Sequence, residues 1–204
     1  MIDRKGRAHG YVERIAGLIS HILNPAGVAL IVWVGWWIGH PEDGLVVLVG
    51  VLFYAVLPAL SILNMVRTGA MDTLYPTVRA QRNGLLLVGA LSYGVGVGVL
   101  WTMGADRLLL AAGMSFTVAT LLVYCINLRW KISIHCVGVG GAVGLGILAW
   151  GIDRAWLGLL AVLLVAWSRL YVRAHTRLQV VAGLALGIAV SAAAYWAIGP
   201  DQVK

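Results

Sequence analysis

The stretch SRLYVRAHTRLQ, Ser168 to Gln179, lies between two long apolar runs of the sequence. Three arginines and a histidine fall between Arg169 and Arg177, at the end of a segment long enough to enter a membrane. Charged side chains at membrane depth are costly and are usually kept because they bind something. The stretch therefore indicates both the end of a membrane span and the start of a polar site.

The composition around this stretch is that of a membrane protein. Of the 204 residues, 61% are apolar and 11% are charged, and the mean hydropathy is +0.90. A soluble domain of this length would need more polar surface. The net charge of +7 is therefore interpreted by its position relative to the membrane. No nucleic-acid partner is expected. The two cysteines, Cys125 and Cys136, indicate neither a disulfide framework nor a metal site.

The apolar runs predict an all-α integral membrane protein, because they are long and continuous rather than alternating. A helical span needs about 20 apolar residues. The runs fit six transmembrane helices, or seven if the first run crosses fully. They cover residues 15–39, 44–66, 84–103, 108–128, 135–151, 155–167 and 178–198. Residues 1–25 are predicted to be a basic N-terminal segment with an interfacial helix. Residues 26–204 are predicted to form a single transmembrane domain. Glycine-rich runs such as GVGGAVGLG predict close helix packing.

Basic residues are concentrated on one predicted face of the membrane. The polar connections 67–83, 129–133 and 168–177 share that face, and the N-terminus shares it too if the first span crosses. The face then carries twelve of the fifteen Lys and Arg residues. Either the positive-inside rule or an anion-binding site could explain the bias. Without the four basic candidates for such a site the count is still eight against three. We therefore predict a multi-pass protein of the plasma membrane with its basic face and its site in the cytoplasm.

Three polar clusters converge on this face. They are RAQR with Arg79 and Arg82, KISIH from Lys131 to His135, and SRLYVRAH from Ser168 to His175. If a helix begins at KISIH, its lysine and histidine share one face, and the free N–H groups of the helix start point at whatever lies between them. His175 and Gln179 are also four residues apart. The amide oxygen of Gln179 can then accept from one ring nitrogen of His175 and leave the other free.

These residue types suit phosphoryl transfer without a metal or another cofactor. Arginine and lysine neutralise phosphate oxygens, one histidine attacks phosphorus, and the other protonates the leaving oxygen. Arg173 and Arg177 could line the site or reach toward lipid headgroups. His9, His21 and His40 lack such neighbours and are interpreted as structural.

The order and spacing of the three clusters resemble the type 2 phosphatidic acid phosphatase (PAP2) family of membrane lipid phosphatases. The third motif of that family is Ser-Arg, five residues, His, three residues, Asp, which Ser168, Arg169 and His175 match. The second motif is Pro-Ser-Gly-His, of which Ser133 and His135 are kept. The first is Lys, six residues, Arg-Pro, of which Arg82 is kept.

The resemblance implies a PAP2-like helical bundle and a role for each matching residue. His175 would be the nucleophile that forms a phosphohistidine, and His135 would be the acid for the leaving group. The phosphate would be bound by the remaining matching groups, which are Arg82, Ser133, the N–H of Ile134, Ser168 and Arg169.

Two positions depart from the family pattern. Gln179 stands where the family has Asp, and an amide stabilises a protonated His175 less than a carboxylate would. Tyr75 stands where the family has the first-motif Lys, so Lys131 or Arg79 would have to supply that charge. The chain is similar to a branch of the family with KISxH in the second motif and HTxxQ in the third.

The sequence therefore predicts a metal-independent phosphatase acting on a lipid phosphate or pyrophosphate. A polyprenyl substrate is preferred on the resemblance alone. One alternative is a lipid phosphotransferase that uses the same site. Another is a non-catalytic lipid-phosphate binder or transporter on a degenerate scaffold, since Gln179 and Tyr75 replace family residues. The expected partners are the lipid substrate and membrane lipids, and the sequence indicates no oligomeric state.

Overall fold

The computed structural model describes residues 4–71 and 79–199, with side chains described from 10 to 71 and from 81 to 199. All regular structure in these ranges is helical. The α-helices are α1 (Arg4–Ile22), α2 (Pro25–Gly39), α3 (Gly44–Val51), α4 (Leu57–Arg67), α5 (Arg79–Thr102), α6 (Arg107–Asn127), α7 (Ile134–Trp150), α8 (Trp156–Tyr171) and α9 (Arg177–Ile198). A π-helical turn, Leu52–Val56, joins α3 to α4, so that the two helices are continuous.

Several of these helices are long and apolar enough to cross a membrane. Four segments in the described ranges qualify, and they are Pro41–Arg67, Gln81–Thr102, Arg107–Asn127 and Arg177–Ile198. Helices α1 and α2 qualify only as a pair bent by 58°, which would make five. The prediction of an all-helical chain compatible with a multi-pass membrane protein is confirmed. The predicted count of six or seven spans is not reached, because α7 and α8 have only 17 and 16 residues.

The bend between α1 and α2 has a local cause. Asn24 caps α2 by accepting the N–H of Gly27 at 2.8 Å, and Pro25 opens the helix. A Cβ on Gly27 would overlap the carbonyl oxygen of Ile22. The bend coincides with the predicted boundary near residue 25. Helix α1 nevertheless packs against α8, and its Ala16 and Ser20 are buried.

The helices alternate in direction and so bring the three predicted polar clusters to one end of the bundle. Helices α5, α7 and α9 begin at this end, and α6 and α8 finish there. We call it the basic end. The Arg82 guanidinium donates to the carbonyl oxygen of Ile132 at 3.1 Å, and the Ser133 N–H donates to the carbonyl oxygen of Gln179 at 3.4 Å. The convergence predicted from the sequence is confirmed.

Away from the basic end, large aromatic side chains fill the space between α2, α5, α6 and the π-helical turn. Tyr54 stacks on Tyr93 with ring centroids 5.1 Å apart, Phe116 meets both rings edge-on at 5.8 Å, and Trp33 lies 5.3 Å from Tyr54. We call these four residues the aromatic cluster. Such offset and edge-on pairs stabilise a core beyond the burial of their area.

The outer surface of the bundle is apolar. Ile38, Leu163 and Leu178 are between 67% and 76% exposed. Soluble monomers rarely expose apolar patches of this extent, whereas a lipid-facing surface consists of such side chains. This surface agrees with the membrane character expected from the composition.

Candidate active site

The two histidines of the candidate site are brought together by close packing of α7 against α9. A Cβ on Gly183 would lie 2.8 Å from the carbonyl oxygen of Ser133, and one on Gly140 would lie 2.8 Å from that of Leu184. A Cβ on Gly187 would overlap the carbonyl oxygen of Val137. We call these three contacts the glycine interface. Because only glycine lets the two backbones touch, the start of α9 is held directly beside the start of α7.

The start of α9 fixes the orientation of His175. Thr176 is the N-cap and forms a capping box with Gln179. The side-chain oxygen of Gln179 accepts the Thr176 N–H at 3.2 Å and is 3.0 Å from His175 Nδ1. An amide oxygen only accepts, so Nδ1 carries the proton and donates to it. In the neutral ring, Nε2 therefore holds the lone pair.

The surroundings of His175 favour this neutral form. Burial is the largest effect and lowers the pKa of the His175 imidazole to about 4. The bond from Gln179 opposes this, while the nearby cations Arg169, Lys131 and Arg82 lower the pKa further. At neutral pH the ring is uncharged. An uncharged imidazole with its Nε2 lone pair available is a nucleophile.

Two buried polar groups beside the histidines have no partner within the described part of the chain. Arg82 is 3% exposed, and its Nη1 has no hydrogen-bond partner although Nη2 donates to Ile132. The Ser133 hydroxyl is fully buried and is likewise unsatisfied. Nearly all buried polar groups in proteins are hydrogen-bonded, so each exception calls for an explanation. Both are donors, and an anionic ligand would satisfy them.

The charge around these donors is positive. Burial lowers the pKa of the Lys131 ammonium, and the two guanidinium groups of Arg82 and Arg169 lower it further. Cations that disfavour one another in this way are stabilised by an anion bound between them. The basic end therefore concentrates positive charge around the two unsatisfied donors.

The remaining candidates contact α1, which the sequence analysis did not include in the site. The Ser168 hydroxyl donates to the carbonyl oxygen of Ala16 at 2.7 Å. Arg169 Nη1 donates to the Ser20 hydroxyl at 3.0 Å, and His135 Nε2 is 3.2 Å from the Ser20 carbonyl oxygen. Ala16 and Ser20 are small and four apart on a helix, but this spacing does not identify α8 as the neighbour of α1.

The structure changes the expected arrangement of Lys131. The sequence predicted that Lys131 and His135 would share a helical face if a helix began at KISIH. Helix α7 begins at Ile134 with Ser133 as its N-cap, so Lys131 precedes the helix in a non-helical segment. The prediction of a helix start beside the site is confirmed, but the shared helical face is wrong.

Eight of the nine site candidates have described side chains, and all eight belong to this one cluster. The ninth, Arg79, is the first residue of α5, and its side chain lies outside the described residues. Tyr75 lies in residues 72–78, which are also outside the described residues. Arg173 and Arg177, for which the sequence allows either a site role or contact with lipid headgroups, are exposed.

Potential metal ligands are not grouped in the described part of the chain. Across residues 4–71 and 79–199, no three His, Cys, Asp or Glu side chains are grouped as they would be to hold a metal ion.

No family model matches this sequence, and no curated protein and no solved structure is significantly similar to it.

Proposed function

We propose that this protein is an integral membrane phosphatase that hydrolyses a lipid phosphate or pyrophosphate through a phosphohistidine. One observation carries the proposal. The neutral ring of His175, with Nδ1–H bonded to Gln179, lies in one cluster with the unsatisfied buried donors Arg82 Nη1 and Ser133 Oγ. This combination provides a nucleophile and an anion site together. The bundle is proposed to be PAP2-like, with α7 and α8 also crossing the membrane.

The proposed reaction has two steps. In the first, the Nε2 lone pair of His175 forms a bond to phosphorus, and the bond from phosphorus to the leaving oxygen breaks. The leaving oxygen takes a proton from the imidazolium form of His135, which is left neutral. In the second step, water attacks phosphorus, the P–N bond breaks, and the water proton passes to His135. Inorganic phosphate is released and both histidines return to their starting forms. Arg82, Lys131 and Arg169 offset the charge on the phosphate oxygens.

The surroundings of the site support a lipid substrate. The site lies at one end of a bundle whose outer surface is apolar, so an attached hydrocarbon chain would remain in the bilayer while the phosphate reaches the basic end. A polyprenyl chain is preferred on the resemblance to the family. The charge bias supports a cytoplasmic basic end in the plasma membrane.

The first experiment measures phosphate release by the purified full chain in detergent. The substrates are prenyl pyrophosphates, prenyl phosphates and phosphatidic acid, each tested with and without EDTA. We expect release that survives EDTA and is lost in His175→Ala. His40→Ala is the matched control, because His40 stacks on Trp36 at 3.9 Å, away from the basic end. Equal release by wild type and His175→Ala would contradict the proposal.

Trapping the intermediate tests the covalent step directly. Incubation with radiolabelled lipid phosphate followed by rapid denaturation should yield a phosphoprotein that is stable in alkali and labile in acid. The label should be absent in His175→Ala. Analysis of products in the presence of an alcohol would detect a phosphotransferase, because the phosphoryl group would then appear on the alcohol.

A non-catalytic lipid-phosphate binder is the second candidate, and one observation favours it. His135 Nε2 faces the Ser20 carbonyl oxygen, so a leaving oxygen would compete with that carbonyl for the proton of His135. A binder needs no such proton. Activity that is absent in wild type but present in Gln179→Asp would support this candidate.

The orientation has a separate test in a variant without Cys125 and Cys136. A cysteine at Thr68, which follows α4 at the basic end, should be protected from an impermeant reagent in intact cells. A cysteine at Asp153, an exposed residue between α7 and α8 at the opposite end, should react. Labelling of the Thr68 position from outside would contradict the cytoplasmic orientation.

A further inference from the structure

Ser20 on α1 bonds to three residues of the candidate site. It is 6% exposed and lies in the last turns of the helix. Its hydroxyl accepts from Arg169 Nη1 at 3.0 Å and lies 2.5 Å from the Ser168 hydroxyl. Its carbonyl oxygen is 3.2 Å from His135 Nε2.

The direction of these hydrogen bonds follows from their chemistry. The Ser168 hydroxyl uses its single proton to donate to the Ala16 carbonyl oxygen at 2.7 Å. Ser20 must therefore be the donor in its bond to Ser168. A guanidinium group only donates, so the Ser20 oxygen accepts from Arg169. The result is a chain with one polarity that runs from Arg169 through Ser20 and Ser168 to Ala16.

This chain helps to hold the Arg169 guanidinium in one orientation. An arginine side chain loses up to about 2 kcal/mol of rotamer freedom when it is fixed. A group that is already fixed before the ligand arrives binds more tightly, because that cost is not part of binding. The Ser20 carbonyl does the same for His135, because a carbonyl only accepts and so requires a proton on Nε2.

We propose that Ser20 is a positioning residue of the phosphate site, and this rests on the function proposed above. Its hydroxyl fixes the guanidinium of Arg169, and its main-chain carbonyl fixes the ring of His135. Helix α1 is therefore a fourth part of the site, beside the three segments that the motifs identify. Ser20 acts through these residues and does not itself contact the phosphate.

A purely structural role for Ser20 can be separated from the proposed positioning role. The bond between the Ser168 hydroxyl and the Ala16 carbonyl anchors α1 to α8 without the Ser20 side chain. Removing the Ser20 hydroxyl should therefore leave α1 packed in place and affect chiefly Arg169. The main-chain bond to His135 is also kept in any side-chain variant.

The test uses the full chain with Ser20→Ala, Ser20→Thr and a matched control. Ser115→Ala is the control, because Ser115 is 7% exposed and its hydroxyl donates to the Ala111 carbonyl oxygen one turn earlier in α6. For Ser20→Ala we expect KM and the inhibition constant of orthovanadate to rise about tenfold, with kcat changed by less than about threefold. Ser20→Thr, which keeps a hydroxyl, should restore both constants.

Binding of inorganic phosphate, followed by the shift in Tm, gives a readout that needs no turnover. Ser20→Ala should weaken this binding about tenfold relative to Ser115→Ala.

If wild type hydrolyses lipid phosphates but Ser20→Ala matches Ser115→Ala in KM and in phosphate binding, this inference is wrong and the proposed function stands. If wild type binds phosphate without hydrolysis and Ser20→Ala weakens that binding, the proposed function fails and the inference holds for a binding site. A fall in Tm in Ser20→Ala without a change in either constant would show a structural role only. Absence of both hydrolysis and phosphate binding in wild type would overturn both proposals.

Discussion

Two regions of this molecule are packed in opposite ways. At the glycine interface the backbones of α7 and α9 touch, and Cβ atoms on Gly183 or Gly187 would meet main-chain atoms. In the aromatic cluster the helices are separated by rings, and Tyr54 and Tyr93 stack with centroids 5.1 Å apart. The glycine interface is close because its residues have no side chains, whereas the aromatic cluster is filled by the largest side chains.

The difference shows which contacts can position a site. Backbone cannot move aside as a side chain can, so the glycine interface sets the distance between the starts of α7 and α9. His135, His175 and Gln179 all lie at these starts. Aromatic rings fill volume, and a change there can be absorbed by neighbouring side chains. Activity should therefore depend on the glycine interface far more than on the aromatic cluster.

The largest expected effect is that of Gly187→Ala. The new Cβ would overlap the carbonyl oxygen of Val137 and lie 2.7 Å from the Gly141 nitrogen, so α9 must shift. Overpacking of this kind destabilises by about 1–3 kcal/mol. A shift of about 1 Å at the site would cost about 100-fold in phosphate release. Tm in detergent and phosphate release measure the two effects.

Gly146→Ala in α7 is the matched control for this substitution. Its Cβ would have Trp150 as its nearest neighbour, at an ordinary contact distance of 3.7 Å. We expect a wild-type Tm and wild-type release. If Gly187→Ala behaved like Gly146→Ala, the glycine interface would not control the site.

The next largest effect concerns Gln179, which the glycine interface places beside His175. With a pKa of about 4, His175 loses its lone pair by protonation only in acid, so kcat/KM should fall as the pH drops through about 4. Gln179→Glu keeps the side-chain length and adds a negative charge that stabilises the imidazolium. A higher pKa means that protonation begins at a higher pH. The acid limb should therefore move up by about 1–3 pH units.

An uncharged variant separates this electrostatic effect from loss of the bond. Gln179→Leu removes the acceptor of His175 Nδ1–H without adding charge. Its activity should fall at all pH values, with no upward movement of the acid limb. An unchanged pH profile in Gln179→Glu would mean that His175 is not the group whose protonation limits the rate.

A third prediction uses the unsatisfied hydroxyl of Ser133. Because this buried group has no partner in the described residues, Ser133→Ala should leave Tm unchanged or raise it. The same change should raise KM about tenfold, since a hydrogen bond to a charged ligand is lost. Ser191→Ala is the comparison, because that fully buried hydroxyl donates to the Ile188 carbonyl oxygen at 3.0 Å. It should lower Tm and leave KM unchanged.

Much of the fold could be predicted from the sequence, because long apolar runs constrain the backbone strongly. The runs predicted helices, and the glycine-rich stretches predicted close contacts that Gly140, Gly183 and Gly187 make. The predicted number of spans is not confirmed in the same way. Hydropathy does not indicate where a capped turn ends a helix, and such turns leave α7 and α8 at 17 and 16 residues.

Contacts of the candidate site could be predicted where both residues lie in the same sequence motif. The bond between His175 and Gln179 joins residues four apart and could be expected from spacing. The bond between Ser20 and Ser168 joins residues 148 apart, and neither sequence neighbourhood indicates the other. Ser20 carries no charge and belongs to no motif, so only the packing of α1 on α8 reveals it. Lys131 and His135 do not share a helical face, because α7 begins at Ile134, after Lys131.

The smallest expected effect is that of Tyr54→Phe in the aromatic cluster. The Tyr54 hydroxyl donates to the Tyr93 carbonyl oxygen at 3.0 Å, and both residues are buried. Removing it should cost about 1 kcal/mol, since the stacked rings and nearly all of the buried area remain. Phosphate release should stay within about twofold of wild type, because removing a hydroxyl does not force the helices that carry the site to move. A loss of activity as large as that of Gly187→Ala, at a much smaller fall in Tm, would show that the aromatic cluster also sets the distance between the site helices.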